Sequence, residues 1–263
     1  MILQSPGDIA FSLFDFPVYY YGIILAAACF VGIYAAYIIF KKYSDVEEPD
    51  VLWEFSPYVV VAGILGARLY YCILNFPYYF WHLGGIFNIR EGGLSIHGAI
   101  LAGIGALIYF AKKSKVPVLK LLDAFSVGTI LAQSIGRWGN FFNSEAFGLP
   151  YNGFLKLYIP PSDRPAAFMN YEYFHPAFLY ESILDLVIFV ILFFIYKRYN
   201  VKRPGFTLAM YLILYSVARF AVEQIRIDSA LNISGIPVAQ IISGVIFAVG
   251  IVMLFFVFKR VKI

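Results

Sequence analysis

Seven long apolar runs separated by short polar stretches constrain this 263-residue chain more than any other feature. They fall at about 19–40, 53–74, 94–111, 118–136, 176–196, 206–222 and 236–258. A bilayer core needs about 20 apolar residues to be crossed by one helix, so each run reads as a transmembrane helix. Composition agrees: 61% of the residues are hydrophobic and 14% charged, against about 45–50% and 25% in soluble domains. A water-soluble enzyme is excluded. The fold class is an all-α integral membrane protein, a single polytopic domain over 1–263 with a small extracytoplasmic cap at about 137–175.

The cysteines, Cys29 and Cys72, both lie inside apolar runs, so neither a disulfide framework nor an exposed reactive thiol is expected. Any thiol chemistry must come from a partner. No basic segment precedes the first run, so it reads as a permanent span and not as a cleaved signal.

Basic residues give the orientation. Lys41 and Lys42 follow the first run. Lys112, Lys113, Lys115 and Lys120 separate the third from the fourth, and Lys197, Arg198, Lys202 and Arg203 separate the fifth from the sixth. With Lys259, Arg260 and Lys262 after the seventh, one side holds thirteen of the twenty lysines and arginines. The other side and its helix ends hold Arg90, Arg137, Lys156, Arg164, Arg219 and Arg226, while Arg68 sits within a span. The positive-inside rule then places the N-terminus outside and the C-terminus in the cytoplasm.

Polar groups in the spans require a partner or a purpose, since an arginine at mid-membrane costs about 2.5–3.5 kcal/mol. The orientation brings Arg68, Arg137 and the stripe Tyr215, Arg219, Glu223 and Arg226 to the outer ends of the outward-running spans. Tyr21, His97 and Glu181 occupy the outer ends of the inward-running ones. Residues of six spans therefore share one depth, and the reading is one cavity beneath the outer headgroups. The densest polar segment, 136–148, offers Arg137, Asn140, Asn143 and Glu145, with glycines, Gly148 among them, that let backbone approach a ligand. Guanidinium forks bind phosphate bidentately, as an ammonium cannot. Asp123, near Lys120, reads as a structural pair. No cluster has metal-ligand spacing, and neither a phosphate-binding P-loop nor a nucleophile elbow is present. No metal, cofactor or nucleic acid is expected. The ligand suggested is an anionic lipid headgroup; the alternatives are an anion-binding transporter or channel, or a lipid-binding protein without catalysis.

The segment Gly136-Arg137-Trp138-Gly139-Asn140-Phe141-Phe142-Asn143-Ser144-Glu145 closely resembles the signature of the prolipoprotein diacylglyceryl transferase family. Further blocks resemble that family in the same order: Tyr21-Gly22, Gly66-Ala67-Arg68-Leu69, Glu91 to Gly98, Asp123, His175-Pro176, Leu179-Tyr180-Glu181, and Tyr215 through Arg219-Phe220 to Arg226. Ala99, Ser144 and Phe178 depart from the usual pattern. The resemblance implies a multi-pass enzyme of the bacterial cytoplasmic membrane, active at its outer face. It implies transfer of the diacylglyceryl group of phosphatidylglycerol to the lipobox cysteine thiol of a preprolipoprotein, beside its signal peptide and among membrane lipids, with release of glycerol phosphate.

A free thiol with a pKa of about 8.5 is only a few per cent ionised at neutral pH, so a base contributes about 10²–10⁴ in rate. His97 is the candidate base. Arg137 and Arg219 are the candidates to stabilise the departing phosphate, with Arg68 and Arg226 behind them. Asn140 and Asn143 are read as headgroup ligands, and Tyr21 and Tyr215 as pocket lining. Glu145, Glu223, Glu181 and Gly148 are read as orienting or supporting residues.

Overall fold

Lipid offers a peptide group no hydrogen-bond partner, so each apolar run satisfies its own backbone as a helix. A computed structural model describes residues 1–88, 92–227, 232–233 and 236–260, the side chains of 232, 233, 236 and 260 excepted. Its α-helices are α1 (Tyr20–Tyr43), α2 (Val51–Leu74), the short α3 (Phe76–Trp81), α4 (Ile96–Lys113), α5 (Val118–Phe142), α6 (Ala177–Tyr199), α7 (Phe206–Glu223) and α8 (Val238–Arg260). All but α3 are long and apolar enough to span a membrane, as the seven runs require. Arg90, Glu91 and Lys262 lie outside the described residues.

One boundary differs materially from the sequence reading. The fourth run was expected to end at 136, where the cap would begin, but α5 continues through 137–142. Residues 137–142 contain one glycine and no proline, so nothing breaks the helix. Gln133, Arg137 and Asn140 consequently fall at i, i+4 and i+7 on one stripe of α5.

Two compact units divide the chain, Met1–Ile39 with Leu122–Ile263, and Phe40–Leu121. In the first, α1 and α5 approach closely where glycines face each other. A Cβ placed on Gly32 would lie 2.6 Å from the Gly128 carbonyl oxygen and 2.8 Å from the Ala132 Cβ. Helices α6, α7 and α8 pack in sequence. Asp123 of α5 is fully buried and accepts hydrogen bonds from the backbone N–H of Gly205 (2.6 Å) and Leu208 (2.8 Å). It satisfies orphan donors at the start of α7, and this is its structural partner in place of Lys120, which pairs with Asp45.

The cap is packed. Strands β1 (Ile2–Gln4), β2 (Ile9–Leu13), β3 (Phe16–Tyr19), β4 (Lys156–Tyr158) and β5 (Tyr173–Phe174) precede two short ones, β6 (Asn232–Ile233) and β7 (Ile236–Pro237). They form a three-stranded sheet in the order β1-β4-β5, a β2-β3 hairpin and a β6-β7 hairpin. Parallel pairing of β1 with β4 and antiparallel pairing of β4 with β5 place Leu157, Ile159 and Phe174 over Phe147 and Phe178 in one apolar core. Among the aromatic residues of the 137–175 segment, Phe147 is in that core, Phe141 and Phe168 pack on it, and Phe154 is 83% exposed.

In the second unit α2 and α4 pack together. Its loop from α1 to α2 is pinned by the Lys41–Asp50 ion pair at 2.7 Å and by Lys120 on Asp45. The Lys120 hydrogen bond holds the Asp45 carboxyl below its ordinary range.

Candidate active site

The stripe of α5 meets those of α6 and α7 at one buried carboxylate. Glu181 of α6 is fully inaccessible. Its Oε1 lies 2.5 Å from an Arg137 guanidinium nitrogen, and its Oε2 accepts a hydrogen bond from Arg219 at 3.0 Å. Arg219 also pairs with Glu223 one turn along α7, at 2.7 Å. Two helices thus bring two guanidiniums to one acid of a third. Breaking such a buried pair by removing a partner costs about 3–5 kcal/mol. Both arginines remain partly accessible, their side chains at 20% and 16%, so further N–H donors are available to a ligand.

Tyr215 and Tyr211 stack on α7 with ring centroids 5.8 Å apart, and the Tyr211 hydroxyl donates to Gln133 at 3.1 Å. Tyr215 and Tyr21 lie within electrostatic reach of Arg137. The Tyr21 ring lies against Gly139, where an added Cβ would be 2.8 Å from the ring.

Beside this cluster the first unit contains a polar cavity of about 540 Å³. Asn140, Asn143, Ser144 and Glu145 form one wall, Ser162 to Pro165 of the cap another, and Arg226 a third part of the lining. The Asn140 and Asn143 amides both point at Glu145, donating at 3.2 and 3.4 Å. Arg226 is held by its backbone, which bridges to Gly148. A Cβ on Gly148 would stand 2.9 Å from the Ile225 carbonyl oxygen, so glycine is needed for that approach. His175 stacks on Tyr151 at 3.9 Å and contacts the Tyr180 hydroxyl at 3.1 Å; burial lowers its pKa.

Arg68 and His97 belong to the second unit. Arg68 is buried, and its five N–H donors all go to backbone carbonyls: Nε to Ile86, one terminal nitrogen to Gly92 and Gly93, the other to Gly85 and Asn88, at 2.5–3.0 Å. Tyr71 and Tyr79 lie against the guanidinium. A guanidinium has five N–H groups, and each of those of Arg68 meets a backbone carbonyl. Arg68 organises the segment before α4. His97 stands exposed in the first turn of α4, its ring 6.2 Å from that of Tyr70.

Sequence reasoning passed over Asp185. It is fully buried on α6, one turn from Glu181, and within electrostatic reach of both Arg137 and Arg219. Its i+4 spacing from Glu181 inside an apolar run was the available signal. The cap residues Ser162 to Pro165 carried no such signal, since only folding brings them opposite the α5 end.

Seven apolar helices, three of which bring two guanidiniums onto one buried carboxylate with a polar cavity alongside, define a multi-span membrane protein equipped to hold an anionic group. The family model described as prolipoprotein diacylglyceryl transferase matches residues 8–256. Similar proteins named phosphatidylglycerol-prolipoprotein diacylglyceryl transferase include those of Prochlorococcus marinus (strain MIT 9215), 38% identical over 98% of this chain and 94% of the relative, and Thermosynechococcus vestitus, 39% identical over 94% and 91%. That of Synechocystis sp. is 40% identical over 91% and 85%. The chain belongs to the prolipoprotein diacylglyceryl transferase family, and is a multi-pass enzyme of the bacterial cytoplasmic membrane.

Proposed function

We propose that this enzyme moves the diacylglyceryl group of phosphatidylglycerol onto the lipobox cysteine thiol of a preprolipoprotein whose signal peptide lies in the bilayer. The observation that carries the site assignment is the meeting of Arg137 and Arg219 on Glu181 from three helices. The distribution of lysine and arginine supports an N-terminus outside, a cytoplasmic C-terminus and a site at the outer face, with the chain acting as one membrane domain.

The thiol sulfur attacks the glyceryl carbon, its bond to the phosphate oxygen breaks, and a thioether and glycerol phosphate result. Negative charge grows on the departing phosphate. Fixed guanidiniums in a dry site stabilise that charge far better than water-exposed ones, and Arg137 and Arg219 take this role. Arg226, Asn140 and Asn143 bind the headgroup in the polar cavity, which is large enough for its glycerol. Glu145, Glu223 and Glu181 hold these donors in position, Gly148 fixes Arg226, and Tyr21 and Tyr215 line the pocket. His97 is assigned the thiol proton on its chemistry.

The test is turnover of phosphatidylglycerol with a lipobox peptide, scored as thioether mass. Arg137→Lys keeps the charge and loses the planar fork; it is expected to lower kcat/KM by about 10²-fold, or ~3 kcal/mol. Turnover within threefold of wild type contradicts bidentate phosphate binding.

A further inference from the structure

Among the described acids around the paired arginines, Asp185 alone makes no ion pair with them. Glu181 takes Arg137 and Arg219, and Glu223 takes Arg219. Asp185 is equally inaccessible, yet neither of its oxygens accepts a hydrogen bond from the described residues. A carboxylate removed from water without hydrogen bonds is costly, and Asp185 shares its helix face with the like charge of Glu181.

Charge arithmetic then assigns it a task. With all acids ionised, the two guanidiniums of Arg137 and Arg219 face three carboxylates and the cluster is net negative, while in the adjoining cavity Arg226 and Arg164 are balanced by Glu145 and Asp163. A phosphodiester approaching it is repelled. With a proton on Asp185 the cluster is neutral, and both guanidiniums turn their remaining donors to the ligand. The other groups around Asp185 are Gln133 and Arg137 on α5, Tyr211, Tyr215, Arg219 and Glu223 on α7, and Tyr21, which reaches Arg137 from α1. None of them supplies a third positive charge.

We propose that Asp185 sets the charge of the site: it takes one proton from solvent as the anionic phosphodiester enters, and the ionised form excludes that ligand. Only an O–H bond on the Asp185 carboxyl is made, and the proton returns to solvent when the anion leaves. The inference rests on the reading of the arginine cluster as the headgroup site.

The experiment is phosphatidylglycerol binding to the full chain in phosphatidylcholine nanodiscs from pH 5 to 9. In wild type the affinity is expected to fall with pH, reaching about tenfold per pH unit above the Asp185 titration. Asp185→Asn, close to isosteric and always neutral, is expected to bind with one affinity across the range, matching the tight limb of wild type. Asp185→Glu is expected to keep the slope. A wild-type slope in Asp185→Asn overturns the proposal, and so does uniform weakening at every pH. Should Asp185→Asn fail to fold, calorimetry of the wild type in two buffers of different ionisation enthalpy gives the proton count directly: about one taken up per lipid on the sloping limb, with no uptake overturning the proposal. A wild type that prefers phosphatidylglycerol equally at every pH removes only the role of Asp185. One that binds it no better than phosphatidylcholine even at pH 5 overturns the headgroup reading and this proposal with it.

Discussion

Two arginines show how the same side chain is given opposite work by its surroundings. Arg137 meets a carboxylate and keeps accessible donors, whereas Arg68 is enclosed by the carbonyls of Gly85, Ile86, Asn88, Gly92 and Gly93. Arg68 was legible in the sequence as a costly charge inside an apolar run, and Arg137 as one at the outer end of another. What separates them is hydrogen-bond accounting, which depends on backbone carbonyls brought back from 17 to 25 residues further along the chain. Arg68→Lys supplies three donors for five acceptors. It is expected to destabilise the protein by about 2–3 kcal/mol, seen as a lower Tm, while phosphatidylglycerol affinity per folded molecule stays within about twofold. A large loss of affinity in a fully folded variant would restore Arg68 to the lipid site. Asp185 was missed for the complementary reason: one acid in an apolar run looks like an isolated exception until the helix places it under Glu181.

At the level of elements, hydropathy located all seven spans because the bilayer imposes both their length and their apolarity. It did not locate the end of α5. The change from apolar to polar at 137 marks a change of surroundings, not the end of the helix, and the backbone continues until Phe142. Strand β1 was equally hidden, since three residues carry no readable period and its partner β4 lies over 150 residues away. The opposed glycines of α1 and α5 give the close approach of these two helices a simple test. A Cβ on Gly128 would stand 2.9 Å from the Ala36 Cβ and 3.0 Å from the Gly32 carbonyl carbon. Gly128→Leu is therefore expected to force the helices apart at a cost of about 2–3 kcal/mol, read as unfolding in mixed micelles at lower denaturant. Unchanged stability would mean that α1 and α5 do not pack through these glycines.

For the whole molecule, the family follows from residues 8–256 together, while the chemistry depends on a few side chains that long-range folding assembles. Positions 137, 181 and 219 are far apart in the chain and meet within 3.0 Å; their shared depth was readable from span order and charge, but their pairing was not. The central claim is that these two guanidiniums jointly grip the phosphate of phosphatidylglycerol. Carbon–phosphorus dipolar recoupling by solid-state NMR, on protein labelled at the arginine Cζ in bilayers containing phosphatidylglycerol, measures this most directly. The account predicts that the Cζ of Arg137 and that of Arg219 each lie about 4 Å from one lipid phosphorus, the span of charge-assisted N–H···O bonds, and that each signal disappears in its Arg→Lys variant. Phosphorus contacts that survive in both variants, with neither arginine within bonding distance, would contradict it.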